Sequence, residues 1–155
     1  MPSATSLSPN AVDLLNRLVA MHCRSLPVYL ADTTPWGRPG QSDTLKVIRE
    51  MAADHLATVD LLAELISESG ERVETGGFPL VFTCYNDLSL DFLVRKTLEF
   101  QERDLREIDD FIAQLADAPR ALALAQEIRG SALAHIDALD EIIRGGTPAD
   151  SSSTG

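Results

Sequence analysis

One connection constrains this chain more than any other feature. Apolar residues recur at helical spacing in four stretches, about 9–31, 44–69, 89–116 and 119–144. Between the second and third lies a run of roughly fourteen residues, 71–84, far longer than a tight turn needs. Fully extended, such a run reaches at most about 46–50 Å, whereas a helix of about 26 residues is about 39 Å long. The connection can therefore cross the whole height of a helical bundle and leave the second and third helices parallel. The turn at Asp117, Ala118 and Pro119 is the opposite case, so short that the fourth helix must fold back antiparallel on the third. The pattern predicts an all-α four-helix bundle with a long crossover between its second and third helices.

Local signals mark the helix ends. Ser8 is placed as an N-cap with Pro9 at the first helical position. Ser42 or Asp43 caps the second helix and Gly70 stops it. Asn86 to Ser89 open the third, and Gly145–Gly146 end the fourth. Pro27 lies inside the first stretch, where it removes a donor and crowds the carbonyl of Cys23, predicting a kink about one turn after His22. Period-2 alternation is confined to PLVFT, residues 79–83. The chain thus reads as one bundle, 9–144, between a flexible N-terminus, 1–8, and a small, polar, disordered tail, 145–155.

The 155 residues make one domain, and a formal charge of −11 repels phosphate backbones, which argues against nucleic acid as a partner. No apolar run approaches the roughly 20 residues of a membrane span, so no membrane partner is expected. The N-terminus has neither the basic nor the apolar region of a signal peptide. Two cysteines, Cys23 and Cys84, make no disulfide framework, which fits a cytoplasmic protein.

The core stripes contain an unusual element. The first runs Val12, Leu15, Val19, His22, Leu26, Tyr29, and the second Ala52, Leu56, Val59, Leu62, Ala63, Ile66 with His55 among them. The third runs Val94, Leu98, Gln101, Leu105, Ile108, Ile112, Leu115, and the fourth Ala121, Leu124, Ile128, Ala132, His135, Leu139, Ile142. All three histidines of the chain therefore point inward. In the crossover topology they lie about 13, 17 and 13 Å from one end of the bundle, with Gln101 and Glu102 about 20–24 Å down. Three neutral imidazoles with a carboxylate would suit zinc, iron or another divalent ion. A metal-free cluster satisfied by hydrogen bonds, with Gln101 as one partner, accounts for the same pattern.

This arrangement resembles the ferritin-like superfamily, which includes bacterioferritins, miniferritins and di-iron carboxylate proteins. The resemblance covers roughly residues 9–144. In that superfamily a Glu on the first and third helices joins a Glu-x-x-His on the second and fourth. His55 and His135 match the two motif histidines, but Ala52 and Ala132 stand at the Glu positions. His22 takes the inward place on the first helix, and Gln101 with neighbouring Glu102 takes it on the third. The resemblance implies the architecture and a histidine position on two helices. The carboxylates that would bridge two ferric ions are largely missing.

Other stretches carry less. Asp54, Asp60 and Glu64 fall on a solvated face, and Cys23 reads as small packing. EFQERDLREIDD is mostly a charged outer face, with Glu99 and Arg103 spaced for a surface pair, as are Glu102 and Arg106. Phe92, Phe100 and Phe111 lie away from the third stripe, and Leu61 and Leu65 at the margin of the second, so part of this apolar surface is expected to be covered by the crossover or by a second copy in a homodimer. No Ser-His-Asp set, Walker loop or CxxC is present, and no organic cofactor is indicated.

The leading expectation is a metal-handling protein with one divalent ion held by His22, His55 and His135, completed by Glu102 or Gln101. Any catalysis would be a metal-dependent, ferroxidase-like oxidation. The alternative is a non-catalytic bundle acting as a structural or interaction module. A third reading is a cavity for a lipophilic ligand, opened between the helices by Pro27.

Overall fold

The computed structural model describes residues 6–31, 41–85 and 88–145. They form α1 (Pro9–Cys23), α2 (Leu26–Ala31), α3 (Ser42–Glu68), a short 3-10 helix (Leu80–Tyr85), α4 (Leu90–Ala113) and α5 (Pro119–Gly145). No strand occurs among them. Residues 1–5, 32–40, Asn86, Asp87 and the tail beyond Gly145 lie outside the described residues.

Caps set several ends. Ser8 Oγ accepts from Ala11 N at 3.1 Å, and Ser89 Oγ from Phe92 N at 3.3 Å, satisfying one first-turn donor in each helix. Gln41 occupies the N-cap position of α3 with no side-chain capping bond, so α3 begins at Ser42 rather than after it. At its C-terminus Glu71 N bonds Ile66 O at 3.2 Å and Gly70 N bonds Ser67 O at 2.9 Å, a Schellman pair. Gly70 holds φ +84, and nothing lies within 4 Å of where its Cβ would stand. Gly70→Ala is therefore expected to cost about 1–2 kcal/mol through the backbone alone, read as a lowered urea midpoint.

The first helix breaks where a kink was expected. Pro27 has no N–H, so α1 ends at Cys23 and α2 restarts at Leu26 with Pro27 in its first turn. Ser25 spans the gap, accepting from Tyr29 N through its carbonyl at 3.0 Å and from Val28 N through its hydroxyl at 3.5 Å. PLVFT likewise departs from its alternating pattern. Leu80 to Phe82 wind into the 3-10 helix, with Phe82 and Tyr85 buried.

The crossover is traced by its contacts. Arg72 and Glu74 bond Asn16, Cys23 Sγ bonds Thr75 O, Arg24 bonds Gly77 O, and Tyr29 meets Phe78 edge-on at 5.3 Å. Residues 71–78 therefore climb beside α1 and α2. Phe82 and Tyr85 then reach Phe100 and Phe92 on α4. Gln41 Nε2 donates to Asp91 Oδ1 at 2.9 Å, which puts the starts of α3 and α4 at the same end. Arg120 pairs with Glu68 at 2.9 Å, which places the start of α5 at the foot of α3. So α3 and α4 run parallel and α5 runs against both.

Apolar packing divides into two bodies. The lower includes Leu15, Leu18, Leu62, Ile66, Ile108 and Ala125, and the upper includes Leu26, Ile48, Met51, Leu90, Leu93 and Leu139. A polar layer of His22, Ser25, His55, Gln101, Asp104 and His135, all buried, belongs to neither.

Two stripes are rotated from expectation. On α4 the buried residues are Leu90, Leu93, Val94, Thr97, Gln101, Asp104, Ile108 and Phe111, a face turned by roughly 50° at about 100° per residue. Phe111, expected outside, is 3% exposed, whereas Leu98, Leu105 and Ile112 are half-buried. On α3 Leu56 turns out to be 46% exposed and Leu65 is buried, the reverse of the expected order. Glu99 pairs with Lys96 at 3.0 Å across one helical turn.

Candidate metal centre in the bundle core

Three helices deliver the imidazoles. His22 comes from the last turn of α1, His55 from the middle of α3 and His135 from the upper half of α5. The ring centroids of His22 and His55 lie 5.0 Å apart, and those of His55 and His135 5.4 Å apart. They share a small internal cavity with Met21, Gln101, Asp104, Ile108 and Ser131. The convergence expected from helix period and crossover length is present.

Each ring has one nitrogen tied to an oxygen from outside the cluster. His22 Nδ1 donates to Leu18 O at 2.8 Å, since a carbonyl can only accept. His55 Nδ1 lies 2.7 Å from Ser25 Oγ, which can take its N–H. His135 Nε2 donates to Asp54 Oδ2 at 2.9 Å. With the N–H of each ring on its outer nitrogen, Nε2 of His22 and His55 and Nδ1 of His135 carry the lone pairs. One of these is already engaged: Gln101 Nε2 stands 3.3 Å from His135 Nδ1, a long amide donor contact.

Burial lowers the affinity of His22 and His55 for protons. Desolvation is the main cause for both; the Leu18 carbonyl partly restores it in His22, and the neighbouring rings depress both further. The two rings are therefore neutral at pH 7. Asp104 shows the converse. Burial pushes its carboxyl up to about 6, partly opposed by Arg103, whose guanidinium lies 3.4 Å away.

One expected ligand, Glu102, is placed differently. Gln101 reaches the cluster. Glu102 stands on the exposed face of α4, because the face rotation carries it outward and brings Asp104 inward one turn along. Asp104 was hidden in the sequence by the charged run around it, and its spacing of three from Gln101 was the available signal. Asp54 is exposed as expected, yet its carboxylate holds His135. As the side chains stand, no group of three or more His, Cys, Asp or Glu among the described residues is disposed to hold a metal ion.

The bundle as a whole is similar to an open-pore ferritin from the hyperthermophilic archaeon Archaeoglobus fulgidus, with a TM-score of 0.70 over 98% of this chain and 94% of that one. The fold is ferritin-like. At 15% identity the likeness is one of fold alone. No protein-family model and no curated sequence matches the chain. Within this ferritin-like bundle Ala52 and Ala132 are buried one turn before His55 and His135, so no carboxylate enters the core from those positions. No helix among the described residues is long and apolar enough to cross a membrane.

Proposed function

We propose that this ferritin-like bundle binds one divalent metal ion, zinc or iron, in its histidine layer and serves in metal handling rather than in di-iron oxidation. The observation that carries the reading is the outer hydrogen bond on each imidazole. Metal-ligating histidines nearly always present their other N–H to a carboxylate, carbonyl or similar acceptor, which fixes the tautomer and aims the lone pair. Leu18 O, Ser25 Oγ and the Asp54 carboxylate supply that set. Burial keeps His22 and His55 neutral, which is the ligand form of an imidazole. His22, His55 and His135 are the nitrogen donors, and Asp104, in the place sought for Glu102, completes the shell once the Gln101 amide leaves His135. The donor set suits a single ion of borderline softness and lacks the bridging carboxylates that two ferric ions require.

Protein purified without an affinity tag is expected to carry near-stoichiometric metal, lost in His55→Ala. Metal-free protein should gain about 3 kcal/mol when zinc is raised to 100 times its dissociation constant, visible as a rise of several degrees in Tm. Repeated metal-free preparations that gain nothing from zinc or iron reject the reading. The second reading, a non-catalytic interaction module, then stands, and the Gln101–His135 contact favours it because it closes the polar layer without an ion. A cytoplasmic setting is consistent with the unpaired Cys23 and Cys84. Exposed Leu56, Leu61 and Phe92 support self-association as a homodimer, which sedimentation would register.

A further inference from the structure

The break before Pro27 leaves a second feature, adjoining the histidine layer. A cleft of about 400 Å³ opens between α1–α2 and α4, capped by Pro79, Val81 and Phe82 of the crossover. Its volume lies within the range of small-molecule sites. It exists because α1 packs chiefly on α3 and α4 chiefly on α5. The α1–α4 side is thus closed only by side chains.

The chemistry of the walls is uneven. Leu26, Pro27, Phe82, Phe100 and Phe111 make an apolar floor. Three of the protein's thirteen basic residues, Arg17, Arg24 and Arg103, line the same space although the chain carries a net charge of −11. Two of them lie over aromatic rings, Arg17 at 5.1 Å from the Phe111 centroid and Arg103 at 4.9 Å from Phe100. Stacking leaves the in-plane N–H groups of a guanidinium open to an oxyanion, one of those on Arg103 already lying 3.4 Å from Asp104. Arg24 is the most telling. Its Nη1 makes a long 3.4 Å contact to Gly77 O, and its Nε is buried with no hydrogen-bond partner. An unmet buried donor on a charged group is costly unless something fills it. Gly76 permits this placement, since a Cβ there would stand 3.1 Å from Arg24 Nη1.

From this arrangement we infer that the α1–α4 cleft binds a small organic monocarboxylate with an apolar body, its carboxylate received by Arg24 and the stacked arginines and its body by the Phe82–Phe100–Phe111 floor. Asp104 and Glu107 on the same wall set the charge limit. Three cations against two carboxylates accept one negative charge and disfavour a phosphate dianion. Met21, Gln101 and Asp104 border both spaces, so the charge count holds for metal-free protein, in which Asp104 is not engaged by an ion.

Calorimetric titration of the full chain with naphthalene-2-carboxylate tests this, alongside its uncharged carboxamide, 2-naphthylmethylammonium and 2-naphthyl phosphate. The carboxylate should bind saturably at one site per chain, roughly tenfold or more tighter than the carboxamide, with the ammonium and the phosphate weaker still. Arg24→Gln should cut carboxylate affinity about 10- to 100-fold and leave the carboxamide unchanged. Should Arg24→Gln fail to fold, Arg17→Gln carries the same expectation with a smaller loss. Equal binding of the four compounds overturns the proposal. So do tighter binding of the phosphate, no loss in the arginine variants, absence of saturable binding, or a self-associated form whose cleft is closed to all four.

Discussion

Metal-free protein is expected to lose stability as pH falls below about 6.5, and His55→Leu is expected to flatten that loss. Burial holds His22 and His55 below the ordinary value of 6.5 in the folded chain. Once pH drops below 6.5, the unfolded chain binds protons that the folded chain refuses, so folding free energy falls with falling pH until the folded values are reached. Each such histidine contributes up to about 1.4 kcal/mol per pH unit within that window. Asp104 acts in the opposite sense. Its carboxyl is raised from 3.8 to about 6, so between those values the folded chain holds the extra proton and gains stability as pH falls. Just below 6.5 both histidines act while Asp104 has only begun to take up its proton, so the slope is positive there; further down Asp104 offsets part of the loss. In His55→Leu the slope should shrink by up to about 1.4 kcal/mol per pH unit. Ser25 loses its 2.7 Å partner, which costs about 1 kcal/mol at every pH. The curves for variant and parent should therefore cross on the acid side. Urea midpoints measured in chelator at three pH values decide it. Parallel curves would mean that His55 titrates alike in both states.

How much of this was legible follows from which residues carry redundant signals. The crossover could be read because two independent lengths, that of residues 71–84 and that of a helix, had to agree, and the Gln41–Asp91 contact shows that they do. The histidine layer was legible for the same reason. Helical phase and depth each bring His22, His55 and His135 together, and a 50° error in phase leaves them inside. Glu102 had no such margin. It sat at the edge of its stripe, and the rotation of α4 moved it to solvent. Leu98, Leu105 and Ile112 form a ridge as apolar as the true one, so periodicity alone could not choose between two faces that differ by half a turn or less. The choice is tertiary: the true face fits Phe111 against the lower core while Gln101 and Asp104 meet the imidazoles. Asp54 was missed differently. It is solvent-facing, as its position implies, and its role depends on an exact neighbour on α5 that no single-helix pattern contains.

The polar layer also explains how the core is organised. Two apolar bodies meet at it, and three of its hydrogen bonds join different elements: Ser25 reaches His55 on α3, Asp54 on α3 reaches His135 on α5, and Gln101 on α4 reaches the same ring, while Leu18 holds His22 from one turn back on its own helix. An apolar layer of the same volume would be stabilised by burial without such matching. Hydrogen bonds across elements fix the relative height of the helices, because a slip of one residue along any of them would orphan a buried nitrogen. The layer thereby specifies register as well as offering donors to an ion.

Asp104→Asn gives the sharpest separation of structural from functional roles. In metal-free protein at pH 8 the variant is expected to be more stable than the parent by about 1–3 kcal/mol, a rise of several degrees in Tm. The parent must hold a buried, ionised carboxylate whose one close basic neighbour, Arg103, is itself half-exposed at 3.4 Å. Asparagine fills the same space without the charge, and a 3.4 Å contact to an exposed guanidinium contributes little that would be lost. The gain should fade as pH falls through about 6, where the parent takes up its proton. With zinc present the order should reverse, since the carboxylate that destabilises the empty bundle is the anionic ligand of the filled one. Unfolding curves for both proteins at pH 8, with chelator and with zinc, read out both halves. A variant stabilised equally under the two conditions would remove Asp104 from the metal shell. A variant destabilised in chelator would show that the carboxylate has a structural partner the burial argument does not include.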